Sequence, residues 1–132
     1  MRFNLLYIII IICVFTSCIE RNNFPSSDNY NARITIHEPV EGDVVSSNSS
    51  ILLKTTFEND EKIQNIELVV INNTSGDTLY YINKDVNADF FYFVNEEIFI
   101  DAEPGDQLQL ISTTWHKDAE IKTLETVFFS AD

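Results

Sequence analysis

The sequence predicts an all-β fold: a single antiparallel β-sandwich of about seven strands. From residue 33 onward, short runs of alternating polar and apolar residues are separated by turn residues, as in half-covered strands. No segment has a helical apolar period longer than one turn. The 132 residues suffice for one ordinary domain but not for two. We therefore expect one core between two facing layers of strands.

The predicted strands follow from the alternation of each run. They cover residues 33–37, 50–57, 63–71, 78–83, 89–94, 107–115 and 121–129, with an apolar pair at Val44 and Val45 and a weaker run at 97–100. Turn residues occupy the connections, with Pro104-Gly105 as the sharpest. Alternation assigns the following side chains to the core: Ile34, Ile36, Ile51, Leu53, Thr55, Phe57, Ile66, Leu68 and Val70.

Two assignments of faces are less direct. In the last strand, Leu124 and Phe128 compete with Val127 and Phe129 for the inward face, and the pattern does not choose between them. Phe90, Phe91 and Phe93 of the aromatic run are assigned to the core, because alternation must bury one face of the run.

Three aromatic side chains with polar tips suit a rim position better than the core. Tyr80, Tyr92 and Trp115 are therefore the candidates for ligand binding, as platforms on which a sugar could stack.

The N-terminal residues have the pattern of an export signal. One positive charge, Arg2, precedes an apolar run of eleven residues at 5–15, and Thr16 and Ser17 are small. A helix that crosses the hydrocarbon layer needs about 20 apolar residues, so this run is too short to remain as a span. Residues 16–17 are followed directly by Cys18.

The segment Phe15-Thr16-Ser17-Cys18 resembles the lipobox of bacterial lipoproteins, with Phe15 where that motif usually has an aliphatic residue. The resemblance implies that Cys18 receives a diacylglyceryl group, becomes the first residue after cleavage, and is acylated at its new amine. It predicts a signal peptide at 1–17, a lipidated cysteine with a flexible tether at 18–32, and a sandwich at 33–130. Since Cys13 would leave with the signal, no thiol would remain for a disulfide, a nucleophile or zinc.

The region 34–129 resembles the immunoglobulin-like or fibronectin-like domains of uncharacterised bacterial surface lipoproteins. The shared features are the opening segment 36–42, with its Pro39-x-x-Gly42 turn, and the closing run at 127–129. The resemblance implies an immunoglobulin-like sandwich in the cell envelope, anchored to a membrane, with the outer membrane as the expected one. It implies no activity.

The charge excludes one class of partner. Acidic residues number 21 and basic residues 8, with Arg2 the only charged residue before Cys18. The chain after Cys18 thus carries an excess of 14 acidic residues, which would repel nucleic acid. The expected partners are the membrane, through the anchor, and a protein or a glycan.

No motif for catalysis or for a cofactor is found. His37 and His116 are the two histidines, and neither belongs to a nucleophile elbow or a zinc-binding pair. Glu96 and Glu97 are neighbours on a strand, so their side chains should point to opposite faces. The chain is therefore expected to be no enzyme and to need no cofactor.

Two further sites are weaker candidates. Calcium could be bound where turns meet, through Asp60, Glu61, Asp118 and Glu120, although simple surface acidity explains these residues as well. Thr78 lies in Asp77-Thr78-Leu79, which resembles a short O-glycosylation site of exported bacterial proteins.

The leading functional hypothesis is a membrane-anchored, non-enzymatic binding or accessory module. The alternative is a structural subunit of a surface filament or envelope complex, which would pair an edge strand with a neighbour.

Overall fold

A computed structural model describes residues 30, 32–115 and 122–132. Within these residues the structure contains strands and turns and no helix. Accordingly, none of the described residues forms a helix with the length and apolar character needed to cross a membrane. The strands are β1 (Arg33–Glu38), β2 (Val44–Val45), β3 (Ser49–Asn72), β4 (Thr78–Ile100), β5 (Gln107–Trp115) and β6 (Lys122–Ala131).

The strands form one hydrogen-bonded sheet that curls over itself. Their order is β1-β3-β5-β6-β2, with β4 on the other side of β3. All pairs are antiparallel except the short β2–β6 pair.

The long strands β3 and β4 belong to both layers of the fold. The first half of β3 pairs with β1 and with residues 91–100 of β4. Its second half pairs with β5 and with residues 78–85 of β4. Both strands therefore cross from one layer to the other, and the two layers enclose a shared core. The fold is a β-sandwich, as predicted.

The predicted breaks within β3 and β4 are wrong. Residues 58–62 and 84–88 were assigned to connections, but both segments continue as strand. Four of the seven predicted strands therefore merge into β3 and β4, and with the pair 44–45 as β2 the described residues contain six strands. The ladder shifts register between Glu58 and Lys62 and again between Ile63 and Asn65. Such irregularities bend a strand without ending it, so a polar, turn-like sequence here marks a bend.

The core contains the inward side chains that were predicted for β1 and β3. The inward sets of β1 and β3 are buried or packed against the core, and Leu53, Phe57 and Leu68 are fully buried. Burying each such side chain contributes about 1.5–3 kcal/mol.

The structure also decides the face of the last strand. Phe129 is buried and Val127 packs against the core. Leu124 and Phe128 lie exposed on the outer face.

The chain before β1 also contacts the core. Tyr30 and Ala32, within the predicted tether, are each 6% exposed. The Tyr30 hydroxyl lies 2.7 Å from Thr114 Oγ1, which itself donates to the Asn65 carbonyl at 2.7 Å. Because the threonine proton is committed to Asn65, Tyr30 is the donor of the first bond. The chain thus enters β1 at the end of the sandwich where β5 ends and β6 begins.

Candidate functional site

Three phenylalanines on the second half of β4 are exposed on one face and are here called the β4 aromatic surface: Phe91, Phe93 and Phe99. They are 53%, 43% and 62% exposed. Asn95 and Glu97 lie between Phe93 and Phe99 on that face. The alternate positions of this half, including Val94 and Ile98, face the core instead.

The prediction that Phe90, Phe91 and Phe93 lie in the core is therefore wrong. Alternation requires that one face of the run is buried, but it does not say which. The signal that could have decided is the phase of the polar residues further along the strand. Asn95 and Glu97 share the phase of Phe91 and Phe93, whereas Val94 and Ile98 share that of Tyr92. Read over the whole strand, the pattern places Phe91 and Phe93 outward, whereas Phe90 has the inward phase and is exposed only because it lies at the bend, with its positive φ.

Polar side chains border this surface without covering it. The His37 ring approaches Phe93 edge-on, with ring centroids 6.5 Å apart, and its Nε2 lies 2.8 Å from Thr56 Oγ1. At one end of the surface, Arg33 Nε donates to Glu58 Oε2 at 2.7 Å. The hydrogen bonds of these polar side chains are made among themselves, and the phenyl rings remain exposed to solvent.

Phe90 lies where β4 crosses between the layers. It is 66% exposed, and its backbone has a φ of 62°, in the left-handed region that bulky residues rarely adopt. Two shallow hollows adjoin its ring. Their walls are lined by Arg33, Glu58, Asn59, Asp60, Glu61, Lys62, Gln64 and Asp89.

Tyr80 and Tyr92 have a different environment, because both lie on the inward face of β4. Tyr80 donates its hydroxyl to Glu96 Oε2 at 2.6 Å. Burial, and then the Glu96 carboxylate, raises the pKa of Tyr80 well above its ordinary value. The hydrogen bond between Tyr80 and Glu96 therefore links the two halves of β4, which belong to different layers.

A second contact between the two halves of β4 joins Lys84 and Tyr92. Lys84 Nζ donates to the Tyr92 hydroxyl at 3.1 Å and lies 5.7 Å from the ring centroid. Hydrogen bonding to Tyr92 raises the pKa of Lys84. Both tyrosines are half-buried, so neither offers an open ring face for stacking.

Trp115 lies apart from the two tyrosines. It ends β5, on the other side of β3 from β4, and faces the outer surface of the second layer. Lys122 Nζ sits 4.6 Å from its ring centroid, in a cation–π contact. The structure therefore does not bring the three predicted ligand-binding aromatics together.

Three acidic side chains at the turns accept hydrogen bonds from backbone amides. Asp43 accepts from the Val40 amide at 2.8 Å, Glu41 from the Phe128 amide at 2.8 Å, and Asp106 from the Glu103 amide at 2.9 Å. Across the part of the chain that the structure describes, no group of three or more His, Cys, Asp or Glu side chains is placed to hold a metal ion.

The remaining predicted sites divide between described and undescribed residues. Asp60, Glu61 and Thr78 are exposed, and Glu96 and Glu97 point to opposite faces as expected. Outside the described residues lie Cys18, His116, Asp118 and Glu120.

Comparisons with known proteins identify the fold. No family profile matches the chain, and no curated protein matches it. Among solved structures, the chain is similar to the fibronectin(III)-like modules of CbhA from Clostridium thermocellum, with a TM-score of 0.50 and 16% identity. That match covers 79% of this chain and 48% of the other, so this chain spans about half the length of the CbhA structure.

A second match is a CARDB domain from Pyrococcus furiosus, whose structure was determined in complex with di-metal ions. The TM-score is 0.50 and the identity 11%, over 79% of this chain and 88% of the other. At such identities the likeness concerns the fold alone. The described domain thus has an immunoglobulin-like β-sandwich fold.

Proposed function

We propose that the chain is a lipid-anchored module of the bacterial envelope that binds a protein or glycan partner and catalyses no reaction. The anchor would be the acyl groups on Cys18. The observation that carries the binding role is the β4 aromatic surface, because a soluble domain seldom exposes several large apolar side chains on one face without a partner.

The anchor part of the proposal rests on residues 1–18. With Cys18 acylated, eleven residues separate the lipid from Tyr30, which packs against the core. A flexible segment of that length spans on the order of 20 Å, by the square-root scaling of soft linkers. The sandwich would therefore stay close to the bilayer, with the end that carries Phe90 nearest to it.

The absence of catalysis is supported by how the described polar groups are used. His37, the described histidine, is bonded to Thr56 and packed on Phe93. Glu96 is bonded to Tyr80. Neither has the nucleophile, the base and the orienting partner that a hydrolytic site needs within hydrogen-bond reach of one another.

Mass spectrometry of the protein isolated from membranes of its native host tests the anchor. We expect an N-terminal Cys18 carrying a diacylglyceryl group and a further acyl chain. Cys13→Ser is the matched control, because that cysteine would leave with the signal and the lipidated product would be unchanged. Cys18→Ser should yield no lipidated product. A wild-type protein with a free Cys18 thiol or with residues 1–17 attached would contradict the proposal.

The alternative, a structural subunit, is favoured by the long edge that β4 presents. Within the described residues β4 pairs with β3 and with no other strand. Self-assembly is opposed by the charge, since every copy would carry the same excess of acidic residues. Sedimentation after removal of the lipid distinguishes the two functions, because a binding module stays monomeric and a subunit associates.

A further inference from the structure

The second half of β4 presents an open backbone edge. Residues 91–100 pair with residues 49–58 of β3 on one side, and no strand among the described residues lies on the other. Such an edge offers a row of N–H and C=O groups that an extended chain can pair with.

The β4 aromatic surface borders this edge. The side chains of an added strand would lie about 4.5–5.5 Å from those of β4, which is contact distance for phenyl rings. Phenylalanine has no polar atom with which to bond a sugar hydroxyl. Apolar rings beside a hydrogen-bonding backbone therefore match an extended peptide better than a glycan.

Each half of β4 has one charged side chain in the phase of Tyr80, Lys84 in the first half and Glu96 in the second, and such charges hinder pairing with a further strand. Both are already hydrogen-bonded, Lys84 to Tyr92 and Glu96 to Tyr80. The second half is distinguished by its exposed phenylalanines.

The charges near this edge select the partner. Glu97 and Asp101 are exposed, with no basic side chain placed against them among the described residues. The basic groups of this layer are paired elsewhere, Arg33 with Glu58 and Lys54 with Glu38. A basic segment is attracted to such an edge, whereas a second copy of this acidic chain is repelled.

From these observations we infer that residues 91–100 of β4 dock an extended basic segment of a partner protein, which adds to the sheet as a further strand. The inference rests on the proposed binding role and assigns it a site and a partner class. Phe91, Phe93 and Phe99 would contact apolar side chains on one face of that segment, and basic side chains on the same face would lie near Glu97 and Asp101, because Glu97 shares the phase of the phenylalanines.

The test uses the full chain in mild detergent and a synthetic peptide that carries valine and lysine on one strand face and threonine on the other, because Glu97 lies on the same face as the phenylalanines. About ten residues are enough to span residues 91–100 of β4. Affinity is measured by titration calorimetry, and pairing by hydrogen exchange. We expect amides of residues 91–100 to gain protection when the peptide binds, because added-strand hydrogen bonds shield them.

Two controls separate strand addition from simple charge attraction. A peptide N-methylated at alternate residues keeps its charge but cannot pair, and should bind at least about tenfold more weakly. The double variant Phe91→Thr/Phe93→Thr should also lose about tenfold in affinity. Phe128→Thr is its match, since Phe128 is 48% exposed on the other layer, and it should bind like the wild type.

Several results would overturn the inference. They are equal binding by the N-methylated peptide, an equal loss with Phe128→Thr, protection located away from β4, or no binding at about 1 mM peptide, the weak limit for a specific site. A dimer that protects residues 91–100 without peptide would make a second copy the occupant. A glycan that binds there in place of the peptide would also reject it. The peptide can be added to protein with or without lipid on Cys18. The docking experiment therefore gives its result independently of the mass spectrometry that tests the anchor.

Discussion

At the scale of single residues, two buried threonines differ in their hydrogen bonding. Thr55 and Thr114 are both fully buried. The Thr114 hydroxyl contacts Tyr30 and Asn65, whereas the Thr55 hydroxyl has no hydrogen-bond partner among the described residues. A buried hydroxyl without a partner destabilises the folded state.

Thr55→Val should therefore raise the free energy of unfolding by about 1 kcal/mol, because valine keeps the shape and removes the unsatisfied group. Thr114→Val should lower it by about 1 kcal/mol, because it removes the hydroxyl that bonds the Asn65 carbonyl and the Tyr30 hydroxyl. Urea denaturation measures both. Equal destabilisation by the two substitutions would show that the Thr55 hydroxyl is satisfied.

Tyr80 should make the stability depend on alkaline pH. Its pKa is raised in the folded state, so above about pH 10 the unfolded chain releases this proton while the folded chain retains it. The folded state then binds more protons than the unfolded state, and stability falls as the pH rises. Tyr80→Phe should decline less steeply than the wild type in denaturation between about pH 9 and 11. Phe128→Leu, which removes no ionisable group from an exposed position, should keep the wild-type slope, and a wild-type slope in Tyr80→Phe would refute the assignment.

At the scale of elements, the crossovers of β3 and β4 organise the molecule. Each strand contributes to both layers, so the two layers are joined by continuous backbone at one end of the sandwich. The bend in β4 uses two residues with positive φ, Asn87 at 48° and Phe90 at 62°. Asparagine tolerates this conformation, but a bulky aromatic residue is strained there by on the order of 1–2 kcal/mol.

Phe90→Asn should therefore raise the free energy of unfolding by about 1 kcal/mol, since it relieves strain and removes a ring that is mostly exposed. Phe91→Asn is the control, because Phe91 is also exposed but does not have a positive φ. Thermal denaturation compares the two. If Phe90→Asn destabilises as much as Phe91→Asn, the Phe90 ring contributes packing that outweighs the strain.

At the scale of the whole molecule, charge opposes compactness. The chain has a formal net charge of −13 at pH 7, and its three described salt bridges have solvent-exposed partners. Exposed pairs of this kind contribute little. Self-repulsion between acidic side chains should therefore be the main electrostatic contribution to stability.

Adding sodium chloride should accordingly raise the Tm, because the screening length falls from about 10 Å at 0.1 M to about 3 Å at 1 M. Glu97→Lys, on the exposed face of β4, lowers the acidic excess and should reduce the gain from salt. Scanning calorimetry at several salt concentrations measures both effects. A Tm that falls with salt would mean that attractive pairs outweigh the repulsion.

The sequence predicted which side chains face the core where polar and apolar residues alternate along a strand. The inward positions of β1 and β3 were predicted, because each polar neighbour marks the opposite face. The prediction failed for residues 58–62 and 84–88, since a polar segment that bends a strand has the same composition as one that ends it. It also failed for Phe90, Phe91 and Phe93, where the local run contains no polar residue to set the phase.

The sequence by itself determined the all-β class, the phase of most strands, and the lipoprotein-like pattern that ends at Cys18, because each is written in neighbouring residues. Only the tertiary structure decided that β3 and β4 are continuous, that Phe90 is exposed at the bend of β4, and that Tyr80 meets Glu96. The physical reason is that these features depend on which distant strands pair and what the core can hold. Residues such as Tyr80 and Glu96 meet only after the chain has folded over itself.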